Sequence, residues 1–466
     1  MVFSSAVFLC LFFPAVTAIS LILPRRLRNG FLFAASLMFY AWGEPLYLPV
    51  MLFSIAFNYG CGLLLARSGL SEGKRRAALI ASVVVDVGLL GFFKYTNFAL
   101  DSLNHLTGSA LPLLKLALPV GISFYTFQAM SYTVDVYRRR VKAQRNFIDF
   151  GMYVSLFPQL IAGPIVRYTE IEPQLQGRSI TPERMSRGLV RFTAGLCKKV
   201  LLANQVGALW DRISASAASA PAMTALLGAL AFTFQIYFDF SGYSDMAIGL
   251  GKVLGFDFPE NFRYPYRAVS VTDFWRRWHI TLSAWFREYV YIPLGGNRRG
   301  RARQLLNLFI VWLLTGLWHG AGVNFILWGL YFFVFLALEK LFLGRLLEKL
   351  PRAVGWVYAM AVAVGSWVIF ACDSPALLRT FSAALFGAHG FADAGTLYLL
   401  RSSAALLIVC AAVSVGLPQK LWQKVRARLP EQAGSAAEML VSLPALAAAF
   451  AFLISGTYNP FLYFRF

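Results

Sequence analysis

The chain has 466 residues, 58% hydrophobic and 14% charged, with a mean hydropathy of +0.61. Soluble domains carry about 25% charge, so a water-soluble globule of this size is excluded and a multi-span membrane protein is expected. The net charge of +21 would raise nucleic acid in a soluble protein. Here the basic residues cluster between apolar runs, as the bias of Lys and Arg towards cytoplasmic loops requires; recognition motifs are absent and no nucleic-acid partner is expected.

Residues 2–23 are apolar and end at Arg25, Arg26 and Arg28. The stretch Ala15-Val-Thr-Ala18 has the form of a signal-peptidase site. No charged region precedes it, however, and the apolar run continues to a basic stop, so an uncleaved first span is expected. Further spans are expected near 31–42, 47–66 and 77–93, with Lys74, Arg75 and Arg76 on the cytoplasmic side. Residues 94–115, which include His105, read as an outer loop or an interfacial helix. Residues 116–136 return to Arg138, Arg139, Arg140, Lys142 and Arg145. The run 147–165 is broken by Pro158, Gly163 and Pro164. It reads as a re-entrant or interrupted helix, tolerated at membrane depth only where protein or a cavity covers the backbone.

Residues 188–206 and 224–240 are expected to span. Residues 241–270, rich in Gly, Pro and Tyr, lead into the stretch around which the chain is organised. Beyond that stretch, 324–343, 354–372, 402–415 and 438–455 are apolar, with basic loops at 345–352 and 420–428. The whole is an all-α polytopic fold of about eleven spans in a single domain, 1–466. The five cysteines are scattered, with no ligand spacing. No metal and no bound cofactor are expected.

The organising stretch runs from Asp273 to Gly320 and holds two of the four histidines, His279 and His319, each following a tryptophan, Trp278 and Trp318. An ionisable group at membrane depth is a functional candidate by default. Residues 304–318 read as a helix rising from the basic run Asn297 to Arg303. Fifteen residues rise about 22 Å against a hydrocarbon core of about 30 Å. His319 is thus expected inside the bilayer, at a glycine-flanked break where the chain turns back. It is either a buried structural histidine or a general base, for which a neutral imidazole is suited. The three- and four-residue spacing of Trp275, Trp278, His279, Leu282, Trp285 and Phe286 reads as one amphipathic helix at the interface. There His279 is either a polar tip among belt aromatics or a group orienting substrate. Asp239 and Asp245 read as carboxylates paired structurally with a base, for which Arg276 or Arg277 could serve, or as catalytic groups. The run Gly295-Gly296-Asn297-Arg298-Arg299 could hold phosphates or be simply a cytoplasmic basic loop.

These residues resemble the membrane-bound O-acyltransferase (MBOAT) family, in its bacterial alginate O-acetyltransferase branch. The carriers are Tyr237-Phe-Asp-Phe-Ser-Gly-Tyr-Ser-Asp245 with its continuation to Gly251, Phe258-Pro-Glu-Asn-Phe262 and Asp273-Phe-Trp-Arg-Arg-Trp-His-Ile-Thr-Leu-Ser283. They continue through 285–297, Leu317-Trp-His-Gly-Ala321, 157–164 and the ending 461–466.

The resemblance implies a helical funnel and acetyl transfer from a cytoplasmic thioester, acetyl-CoA, to a cell-surface polysaccharide such as alginate. Catalysis would fall to His319 with His279. The candidate donor- or substrate-binding residues are Trp278, Trp318, Asp245, Asn297, Arg298 and Arg299. The setting implied is the bacterial inner membrane, within a polysaccharide biosynthesis and export complex. An outer-surface acetyltransferase partner would offer a serine hydroxyl. D-alanyl transfer to teichoic acid and a non-enzymatic polymer or acyl transporter are the alternatives.

Overall fold

The computed structural model describes residues 1–456, 458, 459 and 462. Every regular element among them is helical. Seven helices are long and apolar enough to cross a membrane: Pro45–Leu65, Glu72–Thr107, Ala222–Val253, Val323–Lys349, Arg352–Ala371, Ala394–Ser414 and Glu431–Ser455. The first expected span forms a shorter apolar helix, Phe8–Ile22. The ending 461–466 lies outside the described residues apart from Leu462.

The chain divides into two compact units, Met1–Phe192 with Met246–Pro259, and Thr193–Asp245 with Glu260–Phe466. In the first unit, the interrupted helix expected at 147–165 is present as Phe147–Ser155 and the short turn Phe157–Leu160. The break is protein-covered, as an irregular backbone at membrane depth must be. The Phe157 amide donates to Ser36 Oγ at 3.1 Å, and Gln159 Nε2 donates to the Tyr153 carbonyl at 2.6 Å. Residues 150–166 are all buried.

One expectation for a separate segment is corrected. Residues 94–107 do not form a loop or a separate interfacial helix; they continue the helix Glu72–Thr107, which ends on Gly108 in the left-handed conformation. Polar composition alone does not end a helix when no Pro or Gly interrupts it. Residues 241–253, the start of the segment that leads into the organising stretch, extend the helix Ala222–Val253, so Asp239 and Asp245 both sit on a helix. The basic segment at 420–428 also contains a helix, Leu417–Arg426.

The second unit holds the helical hairpin expected around His319. Its arms are Arg301–His319 and Val323–Leu338, joined through Gly320–Gly322. Lipid tails are as apolar as leucine, so helices in a membrane associate by close packing at small residues. Gly316 and Gly329 supply that approach: a Cβ on Gly316 would meet the Phe325 carbonyl, and one on Gly329 the Trp312 carbonyl. The hairpin is thereby fixed in register up to its turn, where His319 lies.

Candidate active site

His319 is the last residue of its helix and is 6% exposed. Trp318, Trp328 and Phe370 surround its imidazole, with ring centroids at 5.1, 4.8 and 5.6 Å. Beside it lies a cavity of about 20 Å³, walled by Trp278, Trp328, Trp367, Phe370 and the carboxylate-bearing Asp239. That space admits one water-sized group, such as a single hydroxyl. Asp239 is held by Lys199 at 2.6 Å and accepts from the Leu462 amide at 2.8 Å.

The aromatic segment does not form the single interfacial helix that its spacing predicts. It consists of two short helices, Val271–Trp275 and Ile280–Phe286, separated at Arg276–His279. His279 takes φ +43° and is fully buried, so it is not a polar tip at a membrane surface. Trp275 of the first helix packs on Trp312, Trp328 and Phe332, whereas Trp285 of the second packs on Phe286 and Tyr289. Trp278 packs on Trp367 at 4.7 Å and on Phe262 at 5.1 Å.

Asn261, itself fully buried, holds the break. Its Oδ1 accepts from the Thr281 amide at 3.3 Å and the Thr281 hydroxyl at 2.9 Å, and lies 3.2 Å from His279 Nδ1. An oxygen already accepting from an N–H requires Nδ1 to donate, which places the His279 lone pair on Nε2. His279 lies outside the seven long helices. Burial pushes its pKa down to about 3, so the ring is neutral. It lines neither the small cavity nor the large one described below. It touches the centre through Trp318, with centroids 5.9 Å apart.

A cavity of about 800 Å³ runs along the Arg301–His319 helix. Its wall carries five cations, Arg276, Arg287, Arg298, Arg299 and Lys340, together with Asn297. Thr315 lines it, one helical turn before His319 and on the same helix face. Trp275 and Trp312 also line it and pack against Trp328, the ring nearest His319. The volume suits a small-molecule ligand, and the charge suits a phosphorylated one.

The structure thus gathers Trp278, Trp318, His279 and His319 around one centre, and Asn297, Arg298 and Arg299 on the large cavity. Asp245 belongs to neither: it pairs with Lys198 at 2.6 Å. The expected pairing of Asp239 and Asp245 with Arg276 or Arg277 is corrected as well. Two consecutive lysines on the segment Lys198–Ala203 take the carboxylates, Lys199 that of Asp239 and Lys198 that of Asp245, and Arg277 instead binds Asp273 at 2.8 Å.

Sequence reasoning gave no role to Asn261, although it stands in the quoted Phe258-Pro-Glu-Asn-Phe262 run. It also missed Glu339, whose carboxylate accepts from the Val271 and Thr272 amides at 2.6 and 2.8 Å and so caps Val271–Trp275. Its only signal is an acid standing at the end of the apolar run Val323–Leu338, directly before Lys340.

The site thus sets a buried histidine at a helical turn, beside a one-hydroxyl cavity and one helical turn from a residue lining a cationic cavity of ligand size. The profile of the membrane-bound O-acyltransferase family matches residues 90–381, and the chain belongs to that family. It is 39% identical to the probable alginate O-acetylase AlgI of Azotobacter vinelandii over the whole of both chains. It is 36% identical to the peptidoglycan O-acetyltransferase of Helicobacter pylori, over 79% of this chain and 77% of the relative. Identity to the teichoic acid D-alanyltransferase of Bacillus subtilis is 25% over 51% of this chain and 62% of the relative. The chain is therefore a multi-pass membrane O-acyltransferase.

Proposed function

We propose that this enzyme moves an acetyl group from a cytoplasmic thioester, acetyl-CoA, through the membrane for O-acetylation of a surface or exported polysaccharide such as alginate. The observation that carries the reading is the placement of His319 at the one-hydroxyl cavity, one helical turn beyond the residue lining the cationic cavity. The phosphates of the donor suit Arg298, Arg299 and their neighbours, while its acyl end reaches inward along Thr315 and Trp312. His319 takes the proton of an acceptor hydroxyl seated in the small cavity. The hydroxyl oxygen bonds to the thioester carbonyl carbon, the carbon–sulfur bond breaks, and the proton passes to the departing thiolate. The carbonyl end of the Arg301–His319 helix favours the positive charge that His319 carries between these steps.

We place the enzyme in a bacterial inner membrane. The acceptor is the serine hydroxyl of an outer-surface acetyltransferase partner within a polysaccharide biosynthesis and export complex. Full-length similarity to an alginate O-acetylase, against half-length similarity to a D-alanyltransferase, supports acetyl over D-alanyl.

The test uses purified enzyme with acetyl-CoA labelled in the acetyl group. Removing a general base costs about 10²–10⁴-fold in rate. His319→Ala is expected to lose transfer by at least that factor while remaining inserted and monodisperse. Transfer by this variant at near the wild-type rate would remove His319 from the chemistry. Efficient use of a D-alanyl thioester in place of acetyl-CoA would favour the other acyl group.

A further inference from the structure

A second basic concavity lies in the first unit and uses none of the residues assigned to acyl transfer. It measures about 1420 Å³. Its walls come from the end of the helix Pro45–Leu65 and the turn after it, Arg75 on the helix Glu72–Thr107, and the loop after Ile122–Tyr137. Six cationic side chains line it: Arg67, Arg75, Arg139, Arg140, Lys142 and Arg145. Carboxylates that meet this cluster include Glu72, 3.2 Å from Arg75, and Asp135, 3.9 Å from Arg140.

The site is built rather than a loose run of charge. Arg139 holds φ +58°, a conformation that persists in a bulky residue only when its surroundings impose it. The loop is pinned from both sides. The Gln144 amide donates to Tyr132 Oη at 3.0 Å, Gln144 Nε2 donates to Tyr168 Oη at 3.1 Å, and Tyr59 Oη donates to the Arg145 carbonyl at 2.6 Å. Arg75 is buried, donates to the Tyr137 carbonyl at 2.9 Å and lies over the Tyr137 ring. Orientation of a membrane protein requires only that loops be basic; it requires neither a cavity nor an apolar wall. This cavity has one. Leu63 and Leu64 line it and are 39% and 42% exposed at the end of a membrane-crossing helix.

We propose that this cavity binds the phosphodiester headgroup of an anionic phospholipid, with the acyl chains lying against Leu63 and Leu64. Basic pockets at the ends of membrane helices suit such headgroups. A free phosphate shares the headgroup's charge but makes no use of the leucine wall.

Native mass spectrometry of the purified full chain, titrated with phosphatidylglycerol or phosphatidylcholine, tests the proposal. Each basic residue near a membrane surface contributes about fivefold to anionic-lipid affinity. The triple variant Arg67→Gln/Arg139→Gln/Lys142→Gln is therefore expected to lose phosphatidylglycerol affinity on the order of 100-fold and phosphatidylcholine affinity hardly at all. The charge-retaining pair Arg67→Lys/Arg139→Lys is expected to keep most of the preference, which separates charge from misfolding. Neutralising Arg345, Lys349 and Arg352, basic residues of the other unit, should leave it unchanged. An equal loss in that control, or retained binding in the triple variant, would overturn the site. Displacement of phosphatidylglycerol by an equal concentration of inorganic phosphate would overturn the lipid reading in favour of a soluble phosphate.

Discussion

His279 holds a left-handed backbone with a bulky side chain, and Asn261 is what makes that tolerable. One buried carbonyl oxygen takes the Thr281 amide, the Thr281 hydroxyl and the imidazole Nδ1. Removing it deletes these three contacts in a closed space, at a cost of about 1–3 kcal/mol. His279 packs on Trp318 and on Phe240, which lines the small cavity beside His319, and we expect it to act as a positioning residue rather than as the general base. We expect His279→Asn to retain more transfer than His279→Ala, since an amide still offers a hydrogen bond to Asn261. We expect Asn261→Ala to lower kcat roughly as His279→Ala does. The pH dependence separates this from direct catalysis. A pKa lowered to about 3 means that His279 gains a proton only far below physiological pH. It is neutral from pH 5 to 9, and its replacement should lower the pH–rate curve without moving the inflections. A shifted or lost inflection in His279→Asn would make His279 the titrating base.

At the scale of elements, the active centre depends on two pieces of packing. The first is the contact between Gly316 and Gly329, where each backbone leaves no room for a Cβ on the other. Gly329→Leu should separate the hairpin arms and displace His319, abolishing transfer even though no reacting atom has changed. The accompanying measurement is protease resistance of the purified protein, which should fall; unaltered activity in Gly329→Leu would show that the close approach is dispensable. The second is the Glu339 cap on Val271–Trp275. A carboxylate at a helix N-terminus contributes about 0.3–2 kcal/mol, and here it also fixes Trp275 and Trp278 around the centre. Glu339→Gln keeps the shape but weakens two N–H contacts, and should lower thermal stability by a few degrees with a partial loss of rate.

The elements also mark what could be read from sequence. The hairpin was legible because an uninterrupted apolar run, a glycine-flanked His319 and a second apolar run follow one another in the chain. The broken helix at 147–165 was legible from Pro158, Gly163 and Pro164. The break at His279 was not. Its spacing is helical on both sides, and the residue that enforces the turn, Asn261, stands eighteen positions away. The partners of Asp239 and Asp245 were equally hidden, because charge pairing across helices is set by tertiary register and not by distance along the chain.

For the whole molecule, the net charge of +21 mixes a topological role with a binding role, and the two respond differently to experiment. Asn297, Arg298 and Arg299 lie in a basic loop that orientation alone would explain. The structure adds that Arg276, Arg287 and Lys340, distant in sequence, line the same cavity of about 800 Å³. Convergence from separate segments on one concave wall is not required for orientation, and it fits a phosphorylated donor. Neutralising Arg298 and Arg299 together should raise the KM for acetyl-CoA by roughly tenfold, since a charge-assisted contact contributes about 1.5–3 kcal/mol when buried and less on an open wall. The same change should leave kcat within about twofold, because uniform binding is lost and not transition-state binding. The KM of the wild type should rise with ionic strength more steeply than that of the variant, as attraction to an open cationic wall is screened over about 10 Å at 0.1 M salt. Replacing Lys424 and Arg426, basic residues of the second unit that do not line this cavity, should change neither quantity. A KM unaltered in Arg298→Gln/Arg299→Gln, with normal insertion and kcat, would leave those two arginines with their topological role alone.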